Sequence, residues 1–119
     1  MTDQPSIDRE ALERLKEWGG DKLVGQMVRL FLENSVTRMD QIRDGAESGA
    51  LSEAEKGAHS LKSSAANVGA LTVSAVAARL EIATRERDRG DAQALRAQLE
   101  AAFREARTEL AGLLPGEAS

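Results

Sequence analysis

The chain has 119 residues, 41% hydrophobic but only 3% aromatic, so its core must be built from Leu, Val, Ile, Ala and Met, a composition that favours closely packed helices over a sheet. A formal net charge of −4 supplies no electrostatic footprint for nucleic acid, and the expected partner is protein. The absence of cysteine removes disulfides, thiol catalysis and thiolate metal sites, and fits a reducing compartment.

Residues 1–6 are polar, contain Pro5 and read as a loose lead-in. They lack the basic and apolar regions of a signal peptide, and no apolar run approaches the ~20 residues that a bilayer requires, so a cytoplasmic protein away from the membrane is expected. A short first helix follows, with Ile7, Ala11, Leu12, Leu15 and Trp18 at helical spacing, Asp8 or Ser6 as N-cap, and Gly19-Gly20 as its stop. Asp21 can cap a much longer second helix. There Val24, Met27, Val28, Phe31, Ser35, Met39, Ile42 and Ala46 form one stripe, the methionines read as core filler, and Gly49 ends the run.

The third helix opens with Ser52-Glu53-Ala54-Glu55, which has the form of a capping box and assigns Glu55 to the helix start. At ~100° per residue, Ala54, Gly57, Ala58, Leu61, Ala65 and Val68 share the inward side. His59, the only histidine, falls nearly opposite, with Glu55, Lys62, Ser63, Ala66 and Ala70 in its sector. The ring is therefore expected to point to solvent above a floor of small residues, with the Lys62 ammonium at i+3 able to attract an anion to the same patch. That pairing suits the handling of a phosphoryl group, although on its position alone a lone exposed histidine is more often idle.

Gly69 closes this helix. Val73, Val76, Ala77, Leu80 and Ala83 mark a fourth, whose far end, Thr84-Arg85-Glu86-Arg87-Asp88-Arg89, reads as solvated. Gly90-Asp91 breaks and recaps the chain, and Leu95, Leu99, Phe103, Ala106, Leu110 and Leu113 carry a fifth helix to the Leu114-Pro115-Gly116 stop, leaving a frayed tail at 117–119. Four long amphipathic segments with short turns predict an all-α fold: an antiparallel up-down-up-down four-helix bundle with a short extra N-terminal helix packed as a lid at one end. One domain over residues 1–119 is expected, with an ordered core over about 7–113.

The order His59-Ser60-Leu61-Lys62-Ser63-Ser64-Ala65-Ala66-Asn67-Val68-Gly69-Ala70 resembles the signature of histidine-containing phosphotransfer (HPt) domains, which runs His-x-Leu-Lys-Gly, then five residues, then Gly. His59, Leu61, Lys62 and Gly69 match. Ser63 stands where the family usually has glycine and is still small enough for a partner to approach. The resemblance implies the same bundle and a phosphorelay intermediate: His59 accepts a phosphoryl group from the phospho-aspartate of a receiver domain and passes it to another receiver. It implies that Lys62 supports the phosphoryl charge, and that Ser63, Ala66, Asn67 and Ala70 form the floor on which the receiver closes.

The implied partners are response-regulator receiver domains and a hybrid histidine kinase, with no nucleic acid, no membrane and a monomeric carrier. A carrier of this kind has no autonomous catalysis and no cofactor of its own, because Mg²⁺ and most catalytic groups belong to the receiver. The residues agree: there is no Gly-x-x-x-x-Gly-Lys loop for ATP and no tight Asp cluster for Mg²⁺. One histidine with one nearby carboxylate falls short of a zinc site, so no metal is expected. A Ser-His hydrolase is rejected because no nucleophile elbow and no evident orienting acid accompany the ring. Two other readings stay open, the detached phosphoryl-accepting domain of a chemotaxis-type histidine kinase and a structural or adaptor bundle with His59 idle; Met1 and the Pro-Gly tail are taken as natural ends.

Overall fold

Helix formers fill the segments between the glycines, and both prolines, Pro5 and Pro115, lie near the ends of the chain. The computed structural model describes residues 6–112. The lead-in at residues 1–5, Leu113, the Leu114-Pro115-Gly116 stop and the tail 117–119 lie outside the described residues. Among the described residues there are four helices: α1 (Arg9–Ser48), α2 (Leu51–Asn67), α3 (Leu71–Arg85) and α4 (Arg89–Gly112). Connections of two or three residues force consecutive helices to run antiparallel, and α1 packs on α2, α2 on α3, α3 on α4 and α4 on α1. This is the expected up-down-up-down bundle.

The short first helix and the long second one run on as the two arms of α1. They are separated by a bend at Gly19 (φ −150°, ψ 15°) and Gly20 (φ 70°, ψ −168°), the latter a conformation open essentially to glycine alone. Asp8 caps the first arm by accepting from the Glu10 amide at 3.1 Å. Ile7, Ala11, Leu12 and Leu15 are buried as expected, but Trp18 is 76% exposed, because the bend follows it at once and no element covers that last turn. In the second arm Val28, Phe31, Ser35, Ile42 and Ala46 are buried, and Met27 and Met39 pack against the core as fillers.

Two caps differ from expectation. The α2 helix begins at Leu51, which is buried, with Ala50 as its N-cap two residues before Ser52; Ser52 makes no capping bond, and the Ala50 carbonyl accepts from the Glu53 and Ala54 amides instead. The recap of α4 comes from Asp88, which accepts from the Asp91 amide at 3.0 Å, so that Gly90 and Asp91 lie inside the helix. Nor is the 84–89 segment merely solvated. Arg89 donates to the carbonyls of Ala46 and Glu47 and satisfies the end of α1, while Arg85 enters the site described below.

Small residues set how closely the helices approach. A Cβ on Gly57 would lie 3.0 Å from Ile42 Cγ1, and one on Gly45 would lie 2.8 Å from the Ala50 carbonyl oxygen, so α1 and α2 meet nearly backbone to backbone. The turn from α2 to α3 is held from outside by the segment before α1: the Asp8 amide donates to Gly69 O at 2.6 Å and the Leu71 amide to Ser6 O at 2.9 Å, with Ile7 bridged to Ala70. Gly69 has φ +75°, and a Cβ there would sit 2.6 Å from Asp8 O. Both the backbone angle and the contact demand glycine. Gly69→Ala is therefore expected to destabilise the bundle by about 2 kcal/mol. Gly90→Ala, at a helical position with open space, should not, and a thermal melt of the two variants checks this.

Candidate functional site

The inward face of α2 carries Ala54, Gly57, Ala58, Leu61 and Ala65, all buried, and this lets α3 lie close. The opposite face then stands clear. His59 is on it, with 62% of its side chain exposed, and Ser63, Ala66 and Asn67 are exposed on the same helix. Ala70 is not part of this floor. It follows the last residue of α2, so the helical wheel no longer applies to it, and it is fully buried against the Ile7 segment.

The decisive group comes from α3. Glu81 follows Leu80 on the arc that holds Ala77, Leu80, Ala83 and Thr84, and it is only 6% exposed. A carboxylate so placed must be supplied with donors. Lys62 Nζ donates to Oε1 at 2.6 Å, and His59 Nδ1 at 2.8 Å and Arg85 Nη2 at 3.0 Å both lie on Oε2. The Lys62 ammonium holds the Glu81 carboxyl below the usual carboxylate range; burial works against this, and the His59 ring adds to the lowering.

An ionised carboxylate only accepts, so the bond fixes the proton of the imidazole on Nδ1. Nε2 keeps the lone pair, and among the described residues no side chain or backbone group bonds to it. The orienting acid that spacing did not reveal is thus Glu81. It could have been suspected from the sequence as the one acidic residue on the apolar arc of α3. Two other expectations change with it. Glu55 does not serve the helix start but pairs with Arg85 at 3.1 Å, and the Lys62 charge is engaged by Glu81 rather than free over the patch. Ser74, about two turns before Glu81 on α3, donates to the Lys62 carbonyl at 3.0 Å and ties α3 to the α2 backbone.

The resulting array is one exposed imidazole with an oriented lone pair, backed by a buried anion and flanked by two cations. Glu55, Lys56, Ser60 and Glu81 line a shallow cleft beside the ring. Among the described residues no group of three or more His, Cys, Asp or Glu side chains is placed to hold a metal ion.

The family model for the Hpt domain matches residues 26–109, most of the chain. The chain belongs to the Hpt domain family. Its role is that of a phosphotransfer intermediate in a phosphorelay. Among solved structures, the Hpt domain resembles histidine-containing phosphotransfer protein B (HptB) from Pseudomonas aeruginosa PAO1, with a TM-score of 0.84 and 25% identity, over 91% of this chain and 93% of that one. It also shares the fold of a rice protein of the histidine-containing phosphotransfer type, with a TM-score of 0.84 and 21% identity, over 96% of this chain and 83% of that one. No curated protein matches the sequence.

The Glu81 contacts also bear on the stability of this Hpt domain. Because the folded-state value of Glu81 is depressed, its contribution is present above the ordinary glutamate range and is lost as pH falls from that range through the lowered folded value. Wild type should therefore exceed Glu81→Gln in stability at neutral pH, with the gap closing on acidification. Urea unfolding of both proteins across the acid range measures this, and a gap independent of pH would contradict it.

Proposed function

We propose that His59 is the phosphoryl acceptor and that Nε2 is the reacting atom. The observation that carries this is the bond from His59 Nδ1 to Glu81, which leaves Nε2 as the ring nitrogen with an available lone pair. The lone pair attacks the phosphorus of a receiver's aspartyl phosphate. The phosphorus–oxygen bond to that aspartate breaks, and its electrons return to the aspartate carboxylate. As the phosphorus–nitrogen bond forms the ring becomes positive, and Glu81 stabilises that charge through the Nδ1 proton without taking it. Transfer to the next receiver is the reverse of these steps.

In this reading Lys62 keeps Glu81 ionised and adds positive charge beside the incoming phosphoryl group, and Ser63, Ala66 and Asn67 form the floor under the docked receiver. The Mg²⁺ of the reaction belongs to the receiver. The donor set of this chain does not suit it, since the Glu81 oxygens are already taken by Lys62, His59 and Arg85. The chain is then a carrier without autonomous catalysis, a cytoplasmic monomer that serves response-regulator receivers and a hybrid histidine kinase. The net charge of −4 favours protein over nucleic acid as partner, and among the described residues no helix is long and apolar enough to cross a membrane. An idle-histidine bundle would offer no reason for the buried carboxylate aimed at the ring.

Two outcomes are expected. His59→Gln should abolish labelling by a phosphorylated receiver, and the label on wild type should be acid-labile and base-stable, as a phosphoramidate is; label that survives in the variant, or is recovered on Ser or Asp, would end the carrier reading. Enlarging the floor, by Ser63→Phe or Ala66→Trp, should slow receiver-driven labelling by ~100-fold, since a misplacement of about 1 Å is enough for that. Labelling by phosphoramidate, which needs no docking surface, should persist in the same variants, with circular dichroism confirming their helices.

A further inference from the structure

The two oxygens of Glu81 are not used alike. Oε1 takes Lys62 alone, whereas Oε2 is shared between His59 Nδ1 and Arg85 Nη2. Arg85 is 59% exposed along its side chain and lies one turn beyond Glu81 on α3; its Nε reaches across to Glu55 on α2, one turn before His59. The transfer chemistry described above gives Arg85 no task. Lys62 and the ring would supply the buried carboxylate with a donor on each oxygen without it.

Two donors on one oxygen divide its electron density, and a guanidinium is the stronger claimant because it brings a full charge. The strength of the Nδ1 bond matters to the opposite nitrogen: an imidazole that donates its other N–H to a carboxylate becomes a better electron-pair donor. We propose that Arg85 is a positioning residue that sets the nucleophilicity of His59 Nε2 by sharing Oε2 of Glu81 with the ring, and so restrains the ring in the free protein. This rests on the reading of His59 Nε2 as the reacting atom. Arg85 and its partner Glu55 stand beside the ring at the surface, so a docking protein that engages either of them changes how reactive His59 is.

The test uses an uncharged electrophile, so that attraction of an anionic phosphodonor to Arg85 does not enter. Diethyl pyrocarbonate acylates an imidazole lone pair, and with a single histidine in the chain its ultraviolet signal reports His59 alone. The full chain is compared as wild type, Arg85→Ala, Glu81→Gln and the double variant. Arg85→Ala is expected to react about 3-fold faster, the scale of a partly released charge-assisted hydrogen bond. The same substitution in the Glu81→Gln background is expected to have no effect, and the Nδ1 proton of Arg85→Ala should move downfield in the NMR spectrum as its bond to Glu81 strengthens. An unchanged or slower reaction in Arg85→Ala overturns the proposal. So does an acceleration that persists without the Glu81 carboxylate, which would mean that Arg85 merely covers the ring. Because neither readout involves phosphorus, failure of the carrier reading would show separately, as phosphoryl label retained in His59→Gln.

Discussion

A single buried carboxylate, Glu81, joins the two helices that form the site. It crosses from α3 to α2, and its oxygens are met by an ammonium, an imidazole and a guanidinium within 3.0 Å. A charge in that position without partners would be strongly unfavourable. The contacts therefore fix more than the carboxylate. They fix the rotation of the histidine ring, the place of its proton and the position of Lys62, and in doing so they leave an exposed imidazole with one ring nitrogen, Nε2, unengaged among the described residues.

Such a network needs helices held at a constant separation and register. Gly45 and Gly57 let α1 sit nearly on the α2 backbone, and the alanines on the inward side of α2 do the same for α3. At the far end of the pair, the Ser6–Asp8 segment bonds to Gly69 and Leu71 and clips the α2–α3 turn. These contacts lie on other faces of the helices from the ring but share one consequence: α2 and α3 cannot easily slide past each other. The distance from His59 to Glu81 depends on that.

The chemistry assigned to this Hpt domain is modest because phosphoryl transfer asks a protein mainly for position and charge. The chain offers an exposed imidazole, held by Glu81 through Nδ1, on an open face. It also places pairs of opposite charge, Arg85 with Glu55 and Arg85 with Glu81, at the edge of that face. The Arg85–Glu55 pair, open to solvent on the arginine side, adds little to stability, whereas the Arg85–Glu81 contact helps to satisfy a buried carboxylate.

The sequence by itself determined the bundle, its short N-terminal arm, the stripe from Val28 to Ala46, the inward face of α2 and the outward direction of His59, since each follows from helical periodicity and the placing of Gly19, Gly20, Gly49 and Gly69. The motif around His59 also identified the family. What periodicity could not supply was any contact between residues far apart in the chain. Glu81 lies 22 positions from His59 and Arg85 lies 30 from Glu55, so their meeting depends on the register of α2 against α3, which no local pattern encodes. For the same reason Glu55 and Ser52 read as a helix cap, Arg89 as a solvated residue and Ala70 as part of an open floor. Local rules describe a helix as though it were alone, and only the packed structure decided which polar groups another helix would claim and which small residue a neighbouring segment would cover.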